Sequence, residues 1–190
     1  MKQDDDSKQQ EGAVYNQYAM ILNYKPHIEH QHIHMNGDTD SSHQESDADA
    51  EFRKRLMATN IVIRTQTPSG KLTVDLLKLH RFIDKYFVSE IQHKYEWYAL
   101  KRFLEKYNLL RECDNVQFAK QMNSSDWFGK SDYSCEANEM NYYNYLNGIN
   151  PDRWIDTEIQ LGSRATSRSV DNIYRKYSNL DLYKDQLIGL

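Results

Sequence analysis

The chain has 190 residues, enough for one ordinary domain with tails, and its 39% of hydrophobic residues is below the usual share. No stretch approaches the roughly 18–20 consecutive apolar residues of a membrane span, and the acidic residues 1–6 have no apolar signal region. Two cysteines are too few for a disulfide framework. The composition therefore argues against membrane and disulfide-rich secreted proteins, and it predicts a cytoplasmic protein.

Charge is distributed unevenly along the chain. Residues 1–51 contain 3 Lys and 11 acidic residues, a local charge of −8, whereas residues 52–190 contain 21 basic and 17 acidic residues, or +4. A polar, strongly charged segment cannot bury enough apolar surface to fold on its own. We therefore predict an acidic, largely disordered arm at residues 1–51 and a folded domain at residues 52–190.

The arm contains a histidine-rich stretch at residues 25–35, which we interpret as its one short β-strand. Side chains alternate between the two faces of a strand, so His30, His32 and His34 would share one face. Imidazoles in this arrangement can bind Zn²⁺ or Ni²⁺. Two other interpretations stay open: a solvated strand that binds metal only weakly, and a strand that adds to a sheet edge or self-associates through Ile28, Ile33 and Met35.

The rest of the chain shows apolar residues at helical spacing, and it predicts a mainly α-helical fold, an irregular bundle of five or six short helices. Two capping boxes, at Ser89 with Gln92 and at Asp114 with Gln117, mark helix starts. Asn108 is a left-handed helix stop, and Trp154 is the expected anchor of an irregular segment. The predicted helices are 52–59, 73–88, 89–107, 115–122, 136–146 and 167–177, with a final turn or two at 181–188.

The last long helix is basic, and its cations alternate with short hydrogen-bonding side chains. This mixture can contact nucleic-acid phosphates and base edges, although a solvated helix face has the same composition. Helices 115–122 and 136–146 could also form a helix-turn-helix with a long turn. The candidate nucleic-acid-binding residues are Arg164, Arg168, Asn172, Arg175 and Lys176.

Motifs of catalysis are missing from the sequence. It has no glycine-rich phosphate loop, no Gly-x-Ser-x-Gly, no His-Glu-x-x-His and no Cys-x-x-Cys. His80 falls near an apolar stripe, which favours a hydrogen-bonded core histidine over a catalytic base. We predict a protein that is not an enzyme and has no cofactor, with zinc or nickel at the arm histidines as the alternative.

Four segments carry a resemblance to known proteins: 104–110 (LEKYNLL), 115–122 (NVQFAKQM), 140–146 (MNYYNYL) and 163–174 (SRATSRSVDNIY). Their order resembles small helical bacterial proteins carried with conjugative and mobile elements. It is also faintly similar to the C-terminal helical domain of the regulators that control excision of tetracycline-resistance conjugative elements. Those regulators bind DNA through a winged-helix-type domain, so the resemblance implies a regulatory role.

Three functional hypotheses follow. The leading one is a non-enzymatic binding or regulatory module of a bacterial mobile element, whose partner is a protein or a second copy of the chain. The second is a DNA-binding transcriptional regulator, and the third is a metal-dependent protein that uses the arm histidines. None of the three involves a membrane.

Overall fold

The computed structural model of the protein describes residues 46–66, 69–70, 74–155 and 166–187. These residues form six α-helices, so the predicted mainly α-helical bundle of short helices is confirmed. No strand occurs among them, and Ile63 and Leu110 form an isolated antiparallel bridge. In chain order the helices are α1 (Asp47–Ala58), α2 (Leu76–Tyr86), α3 (Trp97–Lys106), α4 (Asn115–Met122), α5 (Ala137–Asn141) and α6 (Ser167–Leu182). Single 3₁₀ turns lie at Val88–Glu90, Lys94–Glu96, Asn144–Leu146, Pro151–Arg153 and Lys184–Gln186.

Helix α3 is the centre of the domain, because seven of its ten residues are buried. A helix that is apolar on most sides needs neighbours on most sides. Its most extensive helix–helix contact is with α6, whose apolar residues recur at helical spacing. Those inward-facing residues of α6 are Val170, Ile173, Tyr177 and Leu180. The pairing of α3 with α6 fixes which face of α6 remains outside.

Three local predictions are confirmed in detail. Asn108 has a φ of 55°, so it adopts the left-handed conformation expected after α3. Asp114 and Gln117 form the predicted capping box, in which each side chain accepts the other residue's backbone N–H. Trp154 is fully buried, as expected of an anchor.

The first helix begins earlier than the sequence predicted. We expected a linker to about residue 50 and a helix from Phe52, but α1 starts at Asp47 with Ser46 as its N-cap. The Ser46 hydroxyl accepts the N–H of Asp49, and acidic side chains in a first turn are favoured by the helix dipole. An ion pair of 2.6 Å between Asp49 and Arg81 also connects this turn to α2.

The predicted capping box of Ser89 and Gln92 is wrong. The Ser89 hydroxyl instead donates to the carbonyl of Lys85, so it completes the end of α2. The box that leads into α3 consists of His93 and Glu96. At the start of α2 the N-cap is Asp75, whereas residue 73, where the predicted helix 73–88 begins, lies outside the described residues.

The predicted helix 136–146 is interrupted. Helix α5 ends at Asn141, and a 3₁₀ turn follows only at Asn144. A polar cluster spans this break: Asn115 donates to the side-chain oxygens of Asn141 at 2.7 Å and Asn144 at 3.2 Å. A five-residue α5 is too short to be the recognition helix of the predicted helix-turn-helix.

The last helix is longer than predicted: the predicted helix ended at residue 177, and α6 continues to Leu182. Asp181 holds this extension against α3 by accepting from Tyr107 and from Lys106, the latter at 2.9 Å. Burial by itself raises the pKa of the Asp181 carboxyl, but these hydrogen bonds and the charge of Lys106 outweigh it and lower the pKa below its usual value. Among the described residues, no helix is long and apolar enough to cross a membrane.

Candidate binding groove

A groove of about 550 Å³ runs along the outer face of α6. One wall is α6 together with Tyr183, and the other is the end of α2 and the turns that follow it. We call it the α6 groove. Its lining residues are Lys85, Tyr86, Glu90, Gln92, Glu96, Asn172, Arg175, Lys176, Asn179 and Tyr183.

The α6 wall follows directly from helical spacing. Positions 172, 175, 176, 179 and 183 recur at helical spacing, beside the stripe of residues that packs on α3. Thr166 and Ser169 form a capping box that fixes where this helix starts, and hence which residues face the groove. The groove face is therefore set by the N-cap and by the buried stripe together.

The opposite wall is held in place by contacts between aromatic and polar groups. Tyr86 stacks on Tyr183 with ring centroids 4.4 Å apart, and the Lys85 ammonium lies 4.8 Å from the centre of the Tyr86 ring. Asn179 donates to the carbonyl of Tyr86 at 3.2 Å, and the Tyr86 hydroxyl donates to Gln186 at 2.5 Å. These contacts tie the end of α2 to the end of α6.

Three of the five predicted nucleic-acid-binding residues line the groove: Asn172, Arg175 and Lys176. Arg168 is exposed one turn before Asn172 on the same face, while Arg164 lies outside the described residues. Asn172 is only 8% exposed and donates to the Tyr95 hydroxyl at 2.9 Å. It also accepts from Arg175, so Asn172 positions Arg175 and is itself poorly placed to reach a nucleic-acid base.

Charges of both signs act on the Tyr95 hydroxyl. Burial raises the pKa of this hydroxyl and the charge of Glu96 raises it further, while the hydrogen bond from Asn172 and the charges of Arg168 and Arg175 lower it. The pKa is raised overall, so the two arginines do not outweigh burial and Glu96.

The cations of the groove take no part in the ion pairs found among the described residues. Within the described residues, Lys85, Arg175 and Lys176 have no carboxylate partner. Arg175 donates to the Asn172 side chain and Lys176 to the carbonyl of Glu90, both of which are neutral groups. Elsewhere ion pairs are formed by Arg53 with Asp75, Arg81 with Asp49, Lys94 with Glu136, Arg102 with Glu105 and Lys106 with Asp181.

Two carboxylates also line the groove. Glu90 is exposed, whereas Glu96 is buried and accepts from the backbone N–H groups of Gln92 at 2.9 Å and His93 at 3.4 Å. The groove therefore combines cations without ion pairs, carboxylates and amide side chains in one surface.

A second groove of about 410 Å³ lies at the end of α3, between Arg102, Lys106, Tyr177 and residues 148–151. Here both cations are already neutralised, Arg102 by Glu105 at 2.5 Å and Lys106 by Asp181 at 2.9 Å. A ligand with negative charge would have to displace these carboxylates. The α6 groove is the stronger candidate site for that reason.

The remaining predicted sites are the residues of the arm and His80. The arm residues His30, His32, His34, Ile28, Ile33 and Met35 lie outside the described residues. In the part of the chain that the structure does describe, no three His, Cys, Asp or Glu side chains are grouped so as to hold a metal ion. His80 is half-buried, is hydrogen-bonded through Nε2 to the carbonyl of Trp127 at 2.8 Å and stacks on Phe128, so the predicted hydrogen bond is confirmed.

Sequence reasoning missed the second wall of the groove. The sequence placed residue 85 within the predicted helix 73–88 and residues 90 and 92 at the start of the predicted helix 89–107, with no indication that they share a surface with 167–177. Asn179 and Tyr183 continue the spacing of 172 and 175–176, so this part of the site could have been found by extending the helix. No family model, curated protein or solved structure matches this chain.

Proposed function

We propose that the protein is a non-enzymatic binding module whose α6 groove binds an anionic partner. The observation that carries this proposal is the set of three groove cations, Lys85, Arg175 and Lys176, that have no carboxylate partner among the described residues. Unpaired cations in a concave surface attract and orient a negatively charged group. The resemblance to proteins of mobile elements supports a regulatory role for this binding.

A DNA-binding regulator is the second candidate. Arg168 favours it, because this side chain is exposed on the same face of α6 and could reach a phosphate. Two observations count against it. The groove residues of α6 face a second wall, formed by the end of α2 and the turns after it, whereas a helix that reads duplex DNA must project into the major groove. In addition, α5 is too short to serve as a recognition helix.

The proposal is tested by reversing charge in the groove. We expect the double variant Arg175→Glu, Lys176→Glu to bind fluorescent polyglutamate or single-stranded DNA at least about tenfold more weakly, because two groove cations become negative charges. A tenfold loss corresponds to about 1.4 kcal/mol of binding free energy. Fluorescence anisotropy of the full chain at two salt concentrations measures this loss.

The matched control is Lys54→Glu, Lys120→Glu. It makes the same change in net charge at two exposed positions outside the groove, on α1 and α4. The control is expected to retain most of the binding. An equal loss in both double variants would show that net charge alone attracts the probes, and it would contradict the proposal. Thermal unfolding followed by circular dichroism confirms that both variants are folded.

A further inference from the structure

We propose that the ligand of the α6 groove is an acidic peptide segment of a partner protein. This inference rests on the function proposed above, and it names the chemical class of the partner. It follows from three features of the groove: its mixture of charges, its amide side chains, and its aromatic rings, which are stacked on each other.

The first feature is the presence of carboxylates among the cations. Glu90 and Glu96 line the same groove as Arg175, Lys176 and Lys85. Nucleic acid carries a negative charge at every nucleotide, so it would bring phosphates close to these carboxylates. An acidic peptide carries its charges on separate side chains, and its backbone N–H groups can donate to Glu90. Mixed charge in the groove therefore favours a peptide.

The second feature is the amide side chains. Within the described residues, the side chain of Gln92 makes no hydrogen bond, and that of Asn179 makes one, through its nitrogen to Tyr86. A primary amide has both donors and an acceptor, which matches the alternating N–H and C=O groups of a peptide backbone. These two side chains lie where an extended segment along α6 would pass.

The third feature concerns the aromatic rings. Proteins that bind single-stranded nucleic acid stack its bases on open aromatic faces. In the α6 groove, Tyr86 is stacked on Tyr183 and is also covered by Lys85. This pair of rings is used to join α2 to α6, and Tyr86 is not free to stack on a base.

The test compares two fluorescent probes of equal total charge on the full-length protein. One is a Glu–Ser repeat peptide and the other is a single-stranded oligodeoxynucleotide of mixed sequence. We expect the peptide to bind with a Kd about tenfold lower than that of the DNA, and Arg175→Glu, Lys176→Glu to remove this binding. Lys54→Glu, Lys120→Glu should leave it largely intact.

A further variant, Glu90→Gln, separates the two ligand classes. Removing this carboxylate should strengthen DNA binding and so narrow the preference for the peptide. DNA that binds more tightly than the peptide, and through Arg175 and Lys176, would overturn the inference while leaving the groove as the binding site. Failure of both probes to bind would overturn the proposed function as well.

Discussion

Replacing Trp154 with alanine is expected to lower the free energy of unfolding by about 3–5 kcal/mol, the usual cost of removing a large buried aromatic side chain. Trp154 is 0% exposed, and its ring centroid lies 5.5 Å from that of Tyr177 and 6.1 Å from that of Tyr98. Its indole nitrogen donates to the carbonyl of Ile149 at 3.2 Å. The substitution would leave a cavity where α3 meets α6 and an unpaired carbonyl.

Urea denaturation followed by circular dichroism measures this loss, and the neighbouring residue provides the control. Ile155 is 54% exposed, so Ile155→Ala should change stability by no more than about 0.5 kcal/mol. A cost below about 1 kcal/mol for Trp154→Ala would contradict the position of this side chain in the core.

The second large effect is expected at Gln121, which is only 1% exposed. Its side-chain oxygen accepts the backbone N–H groups of both Ile61 and Val62, each at 2.6 Å. Gln121→Met keeps a similar volume but leaves two backbone donors unpaired, at a cost of about 1–3 kcal/mol each. The Gln121 amide nitrogen has no partner among the described residues, and its removal offsets part of this cost. We expect a net loss of about 2 kcal/mol.

Hydrogen exchange tests this prediction at single residues. The amides of Ile61 and Val62 should exchange faster in Gln121→Met, whereas Lys120→Met, at an exposed neighbouring position of α4, should leave them unchanged. Unchanged protection of both amides in Gln121→Met would show that another group holds this segment. The connection between α4 and residues 61–62 would then need a different explanation.

Features that depend on neighbouring residues were predicted well from the sequence. The capping box at Asp114 and the left-handed Asn108 are set within one helical turn, and both are found in the structure. Ser46 was overlooked because its surroundings are polar, although a serine followed by acidic residues is an ordinary helix start. Ser89 was assigned to the start of the next helix, whereas its hydroxyl donates to the carbonyl of Lys85 at the end of α2.

Features that depend on distant residues could not be predicted. The end of helix α5 contacts a distant residue, because Asn141 accepts from Asn115, which is 26 positions away in the sequence. The two hydrogen bonds that Gln121 accepts come from Ile61 and Val62, which are 60 and 59 positions away in the sequence. Likewise, the sequence identified Arg175 and Lys176, but only folding brings Glu90 and Lys85 to the other side of the same groove.

The most direct test of the binding site is an NMR titration of the isotope-labelled full chain with the Glu–Ser repeat peptide. The side-chain amides of Gln92, Asn172 and Asn179 line the groove and report on its occupation. We expect saturable chemical-shift changes at these three amides and little change at Gln117 on α4. Saturable binding that shifts Gln117 and leaves the groove amides unmoved would place the ligand elsewhere and contradict the account.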